Sequence, residues 1–308
     1  MILQKTTRPG GALVEVLIGF GILGIAATSV ITLFPFAALT VGRALQDDRT
    51  TTCAIMADGQ MRDVYAHYVV QQGATTTEPL FTSMGSGGSG PSTPVYVDPM
   101  GVAASQAGTV GDANGTHTQI PRVNLSFISA STNPSYSAFR YCSLMDSLSF
   151  DEGGNVQGGP AMREMRYNYA WMLQRPSNAA IYTVRMQVVV YNKRVFQYAP
   201  PGSEVVFSGV SFTPGNTSIT VPGAADVRVG SWILDATNGT DSASQSIVSA
   251  EFYRILSVTQ SGGTLALELN RPISRLDGLQ NSYSGTIVVM PAVADVFDRP
   301  YLTGNFGP

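Results

Sequence analysis

The chain has 308 residues, only 13% of them charged, with 32 glycines and a formal net charge of −3. That length allows about two domains, and the sparse, scattered basic residues exclude a broad cationic face for nucleic acid. The two histidines, His67 and His117, show no metal-ligand spacing with the cysteines or acids, so no metal site is expected.

From Arg8 the chain reads RPGGALVEVLIGFGILGIAA, an apolar run preceded by Lys5 and Arg8. Glu15 breaks it near its start, and the next charged side chain is Arg43. Such a run can span a bilayer, which takes roughly 20 apolar residues as a helix. The positive-inside bias puts residues 1–10 in the cytoplasm and the C-terminal bulk across the membrane. A carboxylate costs about 2.5–3.5 kcal/mol at the bilayer centre and less near the interface, and is retained where something pairs with it. The run exceeds the apolar core of a secretory signal, about 7–15 residues, although Ala26-Ala27-Thr28 imitates a small-residue cleavage site.

Residues 11–70 read as one long helix, with 11–40 in the membrane and a kink expected at Pro35. Its second half is amphipathic. Ala54, Ala57, Met61, Val64 or Tyr65, and Tyr68 recur at helical spacing and should face a core. Asp47, Asp48, Asp58, Arg62 and Asp63 line the wetter side, with Asp58 and Arg62 at an i, i+4 spacing. Residues 71–119, which include GSGGSG, read as a flexible Gly/Ser/Thr-rich connection. Strands are expected within 120–130, 137–145, 162–175 and 180–194, the last two as a hairpin about RPSNAA. Residues 120–198 thus form an antiparallel sheet over the upper helix, and 199–308 a separate module of short strands, SH3-like or OB-like in size. The fold class is α+β: a long N-terminal helix packed on an antiparallel β-sheet, then a small all-β barrel-like or sandwich-like module. Cys53 falls on the helix and Cys142 in a strand region. A disulfide across the helix–sheet core is open to them, and so is burial as two small apolar thiols.

The leader, Gly10, Glu15 and the run LVEVLIGFGILGIAA occur together in register, and in this the first 70 or so residues resemble the type IV pilins and type II secretion pseudopilins. The resemblance implies cleavage by a prepilin peptidase between Gly10 and Gly11, N-methylation of the new amine on Gly11, and Glu15 fifth in the mature chain, meeting a neighbour's amine during assembly. One departure is that Gly11 stands where the family usually has phenylalanine or methionine. The partners implied are the peptidase, other pilin-like subunits, an inner-membrane assembly platform and membrane lipid. The location implied is the bacterial inner membrane, single-pass, and then a pilus or pseudopilus. The large soluble part suits a minor subunit. Asp295 and Asp298 resemble the calcium-binding acids of some major pseudopilins, and a solvated turn explains them as well.

No catalytic residue and no cofactor is expected. Gly19, Gly21 and Gly24 spell the dinucleotide fingerprint but lie inside the apolar run with no strand before them, where helix packing suits them better. No GxSxG elbow occurs. The alternatives carried are a membrane-anchored adhesion module whose C-terminal β domain recognises a ligand or secreted substrate, and a signal-anchored enzyme.

Overall fold

The structure, a computed structural model, describes residues 10–67, 80, 84, 92–103, 108–111, 117–144, 167–176, 183–192, 194, 204–223, 227–240, 246–274 and 282–303. The fold is α+β: one long apolar N-terminal helix and a β-rich remainder that includes a nearly closed barrel-like sheet. Two units divide the chain, residues 1–49 and 50–308.

Helix α1 runs from Gly10 to Tyr65, 56 residues, and continues through Pro35 without interruption. Its first part exposes apolar side chains all round, among them Leu17, Phe20, Ile25, Phe34 and Leu45. It is long and apolar enough to cross a membrane. The part in the second unit is one-sided. Cys53, Ala54, Ala57, Met61, Val64 and Tyr65 are buried, while Asp58 and Arg62 pair at 3.0 Å on the wetter side. Tyr68 lies outside the described residues.

The stripe of α1 packs on a six-stranded sheet of order β14-β5-β4-β1-β3-β2. Its members are β1 (Val95–Val97), β2 (Gly108–Thr109), β3 (Pro121–Val123), β4 (Tyr167–Gln174), β5 (Val184–Asn192) and β14 (Val293–Leu302). The expected hairpin is present: β4 and β5 pair antiparallel from Tyr167↔Asn192 to Gln174↔Arg185. Alternation sends Tyr169, Trp171, Leu173, Met186, Val188 and Val190 to the helix side. The Trp171 indole donates to the Ala57 carbonyl at 2.9 Å.

The other strands of the second unit, β6 (Val205–Phe212), β7 (Ser218–Pro222), β8 (Trp232–Asp235), β11 (Glu251–Ser261), β12 (Thr264–Leu269) and β13 (Tyr283–Met290), form the barrel in the order β6-β13-β8-β11-β12-β7. A small hairpin of β9 (Asn238–Thr240) and β10 (Ser246–Val248) interrupts them. The barrel has its own interior, with Phe212, Ile233, Tyr253, Leu267 and Ile287. Its outer face presents Trp232, Leu234, Phe252, Val288 and Met290 to Tyr96, Ala170, Met172, Val189 and Tyr191 on the far side of the sheet. The sheet is therefore covered on both faces.

Four expectations are corrected. The stretch 137–145 is not a strand: α4 spans Pro134–Cys142, begun by Asn133, whose side chain accepts from Tyr136 N at 3.1 Å, and by Pro134 in the first turn. Cys142 therefore ends a helix. Within 120–130 only β3 is extended, and α3 (Ser126–Ser129) follows it. The connection 71–119 contributes β1, β2 and α2 (Pro99–Ala103), with β1 in the middle of the sheet between β4 and β3; GSGGSG lies outside the described residues. The sheet is mixed, since β1 and β3 are parallel.

The expected boundary at 198/199 is crossed as well. β14 leaves the barrel and pairs antiparallel with β5, so removal of 199–308 would take a strand out of the sheet. Arg62 of α1 donates to the Pro300 carbonyl at 2.9 Å and ties the helix to that strand. β14 lies at the sheet edge, and its two register shifts, Asp295, Asp298, Arg299 and Pro300 discourage the addition of a further strand.

Trp171→Ala removes the largest side chain under the helix and should cost about 3–5 kcal/mol. Denaturant unfolding of the detergent-extracted chain measures it, and a loss below about 1 kcal/mol would mean that the helix–sheet core does not depend on this residue.

Candidate assembly segment and the charged seam

Gly10 is the first residue of α1, and Gly11 and Glu15 lie in its first turns, Glu15 exposed. Residues 1–9, all of the expected leader but Gly10, lie outside the described residues. The apolar stretch beyond Glu15 carries polar groups that are satisfied within the helix. Thr28 Oγ1 donates to Gly24 O at 2.6 Å, Ser29 Oγ to Ile25 O at 2.8 Å, Thr32 Oγ1 to Ser29 O at 2.9 Å and Thr40 Oγ1 to Phe36 O at 2.9 Å. With these hydroxyls bonded internally, Glu15 is the one group between Arg8 and Arg43 whose charge needs a partner in an apolar medium. Gly19, Gly21, Gly24 and Pro35 all sit within the helix, and no strand precedes the glycines among the described residues.

No disulfide joins Cys53 and Cys142, and both are fully buried in the one core between α1 and the sheet. Burial pushes the Cys142 thiol well up, with the Asp98 charge acting in the same direction. The Tyr169 hydroxyl lies in the same core, 2.7 Å from Gln60 Oε1 and 2.7 Å from the Tyr141 carbonyl.

A feature that sequence reading missed lies on the opposite face of the sheet. Asp98, just after β1, accepts from Arg122 Nη1 at 2.7 Å and from Arg194 Nη1 and Nη2 at 2.6 and 2.5 Å. Gly101 N donates to the same carboxylate at 2.9 Å. Arg122 continues to Glu204 at 2.6–2.7 Å, and Glu204 also accepts from Gly111 N at 2.8 Å. Arg194 lies over the Tyr191 ring, and the Tyr191 and Tyr96 hydroxyls are 2.5 Å apart. Burial alone would raise the Asp98 carboxyl; Arg194 and Arg122 outweigh it and hold the group below its ordinary value. Burial opposes the charge on Arg122 too, and Glu204 and Asp98 overcome it. Arg194 follows β5 and Glu204 precedes β6, so these four groups clamp the sheet side to the barrel side. A second bridge spans the seam: Arg185 of β5 pairs with Glu251 of β11, which also takes Arg271 Nη2 at 2.6 Å.

Among the described residues no group of three or more His, Cys, Asp or Glu could hold a metal ion. Asp298 accepts from Gln187 Nε2 at 2.8 Å and from Arg185 at 3.3 Å, and Asp295 Oδ1 from Val296 N at 2.9 Å. Trp171 lies in the helix-side core, and Trp232 in the sheet–barrel seam, its indole donating to Ala294 O at 3.3 Å.

No family model matches this chain, and no curated protein does. Among solved structures, "Phage phi92 endosialidase" aligns at 12% identity with a TM-score of 0.19, over 44% of this chain and 18% of that chain. The chain thus spans less than a fifth of that protein's length, and a score of 0.19 does not define a shared fold.

Gly101 tests the clamp. A Cβ there would lie 2.1 Å from Asp98 Oδ2, 2.4 Å from Arg122 Nη1 and 2.6 Å from Arg194 Nη2. Gly101→Ala must push the carboxylate off its cations, with an expected loss of about 3 kcal/mol. Gly59→Ala, at a helical position where a Cβ meets nothing within 4 Å, should instead stabilise by up to about 1 kcal/mol. Equal effects of the two in denaturant unfolding would remove the steric account.

Proposed function

We propose that the chain is a structural, pilin-like minor subunit, held in the bacterial inner membrane by α1, trimmed after Gly10, and built into a type II secretion pseudopilus or type IV pilus. The observation that carries this reading is the division of labour along one helix. From 11 to 42 it is apolar all round with Glu15 as the one charged group, and its last turns lay a stripe of Cys53, Ala54, Ala57, Met61 and Tyr65 on an antiparallel hairpin. A plain anchor needs neither a carboxylate in its first turns nor continuity into a folded core.

Glu15 has a specific role in this reading. Cleavage leaves an ammonium on Gly11, and attraction between it and a neighbouring subunit's Glu15 is far stronger at low dielectric than in water. The partners are the prepilin peptidase, the other pilin-like subunits, the inner-membrane assembly platform and membrane lipid. Residues 1–10 are cytoplasmic before cleavage, and the folded bulk stands on the other side of the membrane.

Intact mass of the membrane-extracted chain, expressed with and without a prepilin peptidase, tests the reading. Loss of residues 1–10 only with the peptidase is the expected result, and one further methyl would mark Gly11 as a methylation substrate. An uncut chain leaves a plain anchor, and a cut beyond Ala27 removes the filament reading altogether. Glu15→Ala should still be processed yet fail to enter filaments in a pull-out assay; normal incorporation would end the proposed role of the carboxylate.

A further inference from the structure

The barrel contains a second buried carboxylate, treated differently from Asp98. Strands β8 and β11 run antiparallel with Asp235 directly opposite Glu251. Alternation along both strands turns Ile233 and Tyr253 into the barrel and Trp232, Leu234 and Phe252 toward the sheet, so the two acids share the inner side. Like charges directly opposite on paired strands destabilise. Their surroundings separate them. Glu251 holds Arg185 and Arg271. Asp235 is 1% exposed, and neutral donors satisfy it: Thr237 N at 3.0 Å, Thr237 Oγ1, Ser249 Oγ at 2.9 Å and Tyr283 OH at 3.4 Å. Among the described residues no cation bonds to it.

We propose that Asp235 is a proton-binding site built into the barrel, and that proton uptake there makes the barrel more stable in mildly acidic surroundings than at neutral pH.

The groups facing Asp235 decide the sign. From β11 come Glu251, an acid paired with Arg185 and Arg271, and Tyr253; from β13 comes Tyr283; Thr237 and Ser249 carry no charge. Burial raises both phenols, so at neutral pH they add no charge of their own. Arg185 and Arg271 pair with Glu251, Arg271 also lying over the Tyr253 ring, and neither bonds to Asp235. Burial outweighs the hydroxyl bonds, and the carboxyl is pushed up to about 6 from an ordinary 3.8. The folded barrel thus binds the proton more tightly than the unfolded chain. The stabilisation is complete below about pH 4, declines as pH rises, and is gone above about pH 6, the reverse of ordinary acid denaturation. Asp98, held down by its arginines, acts with the opposite sign and in a lower window, losing its contribution as pH falls below its ordinary value. Mild acid therefore strengthens the barrel before strong acid weakens the clamp.

Hydrogen exchange on the full chain in detergent, at several pH values between 4.5 and 7.5 and corrected for the intrinsic rate, reads the barrel locally. Peptides covering β8, β11 and β13 should be up to about 25-fold better protected at the acid end. Asp235→Asn should flatten that dependence while leaving the pH response of β4 unchanged. The same barrel slope in both proteins, or protection that rises with pH in the wild type, would overturn the proposal. Should Asp235→Asn not fold, carboxyl-carbon NMR of the aspartate-labelled wild type decides directly. One buried aspartate with a midpoint near 6, moved higher by Ser249→Ala, supports the site; every aspartate titrating below about 4.5 refutes it.

Discussion

Everything in the second unit depends on β4 and β5 being apolar on both sides. Strands of this kind have no face to give to water, so they need two covers. The last turns of α1 supply one, through Ala57, Met61 and Tyr65 over Tyr169 and Trp171. The outer wall of the barrel supplies the other, through Leu234, Phe252 and Val288 over Ala170, Met172 and Val189. Each cover buries surface that would otherwise drive aggregation. The barrel is thus a structural layer of the fold and not a detachable ornament.

Charge is kept to the margins of this arrangement and to two interior points. Arg185, Glu251 and Arg271 lie at one border of the seam; Asp98, Arg122, Arg194 and Glu204 are sunk at another. Buried ion pairs of the second kind add little net stability against an apolar substitute, but they tolerate few geometries. Their effect is to set one angle of approach where an apolar interface alone would allow several.

The linear features were legible because they are local. The long apolar helix can be read from its unbroken run, and the β4–β5 hairpin declares itself through aromatic and β-branched residues on both arms of a polar turn. The stripe on α1 follows directly from helical spacing. Other elements resisted for physical reasons. β1 is three residues long, too short for any period to show, and it sits within glycine-rich sequence. SAFRYCSLM has the aromatic content of a strand, but its polar residues recur every third position, and that spacing together with Asn133-Pro134 ahead of it marks the helix. The partners of Asp98 are 24 and 96 residues away, and no local pattern encodes such a meeting. Cys142 was misplaced for the same reason as its segment. The pairing of β14 with β5 was missed because a strand's neighbours are chosen by the whole topology, not by its own residues.

That last pairing has a consequence for how the molecule is made. β5 ends at Asn192 and its edge partner begins at Val293, so the whole barrel is encoded between two adjacent strands. A chain made from its N-terminus presents α1 first and the hairpin next, then must wait for the barrel before β14 can close the sheet. Loop closure over such a separation is slow relative to local pairing. Until it is complete, the open edge of β5 offers unpaired backbone groups to any other strand. Substitutions that weaken β14 therefore act late in folding, after the rest of the sheet has formed.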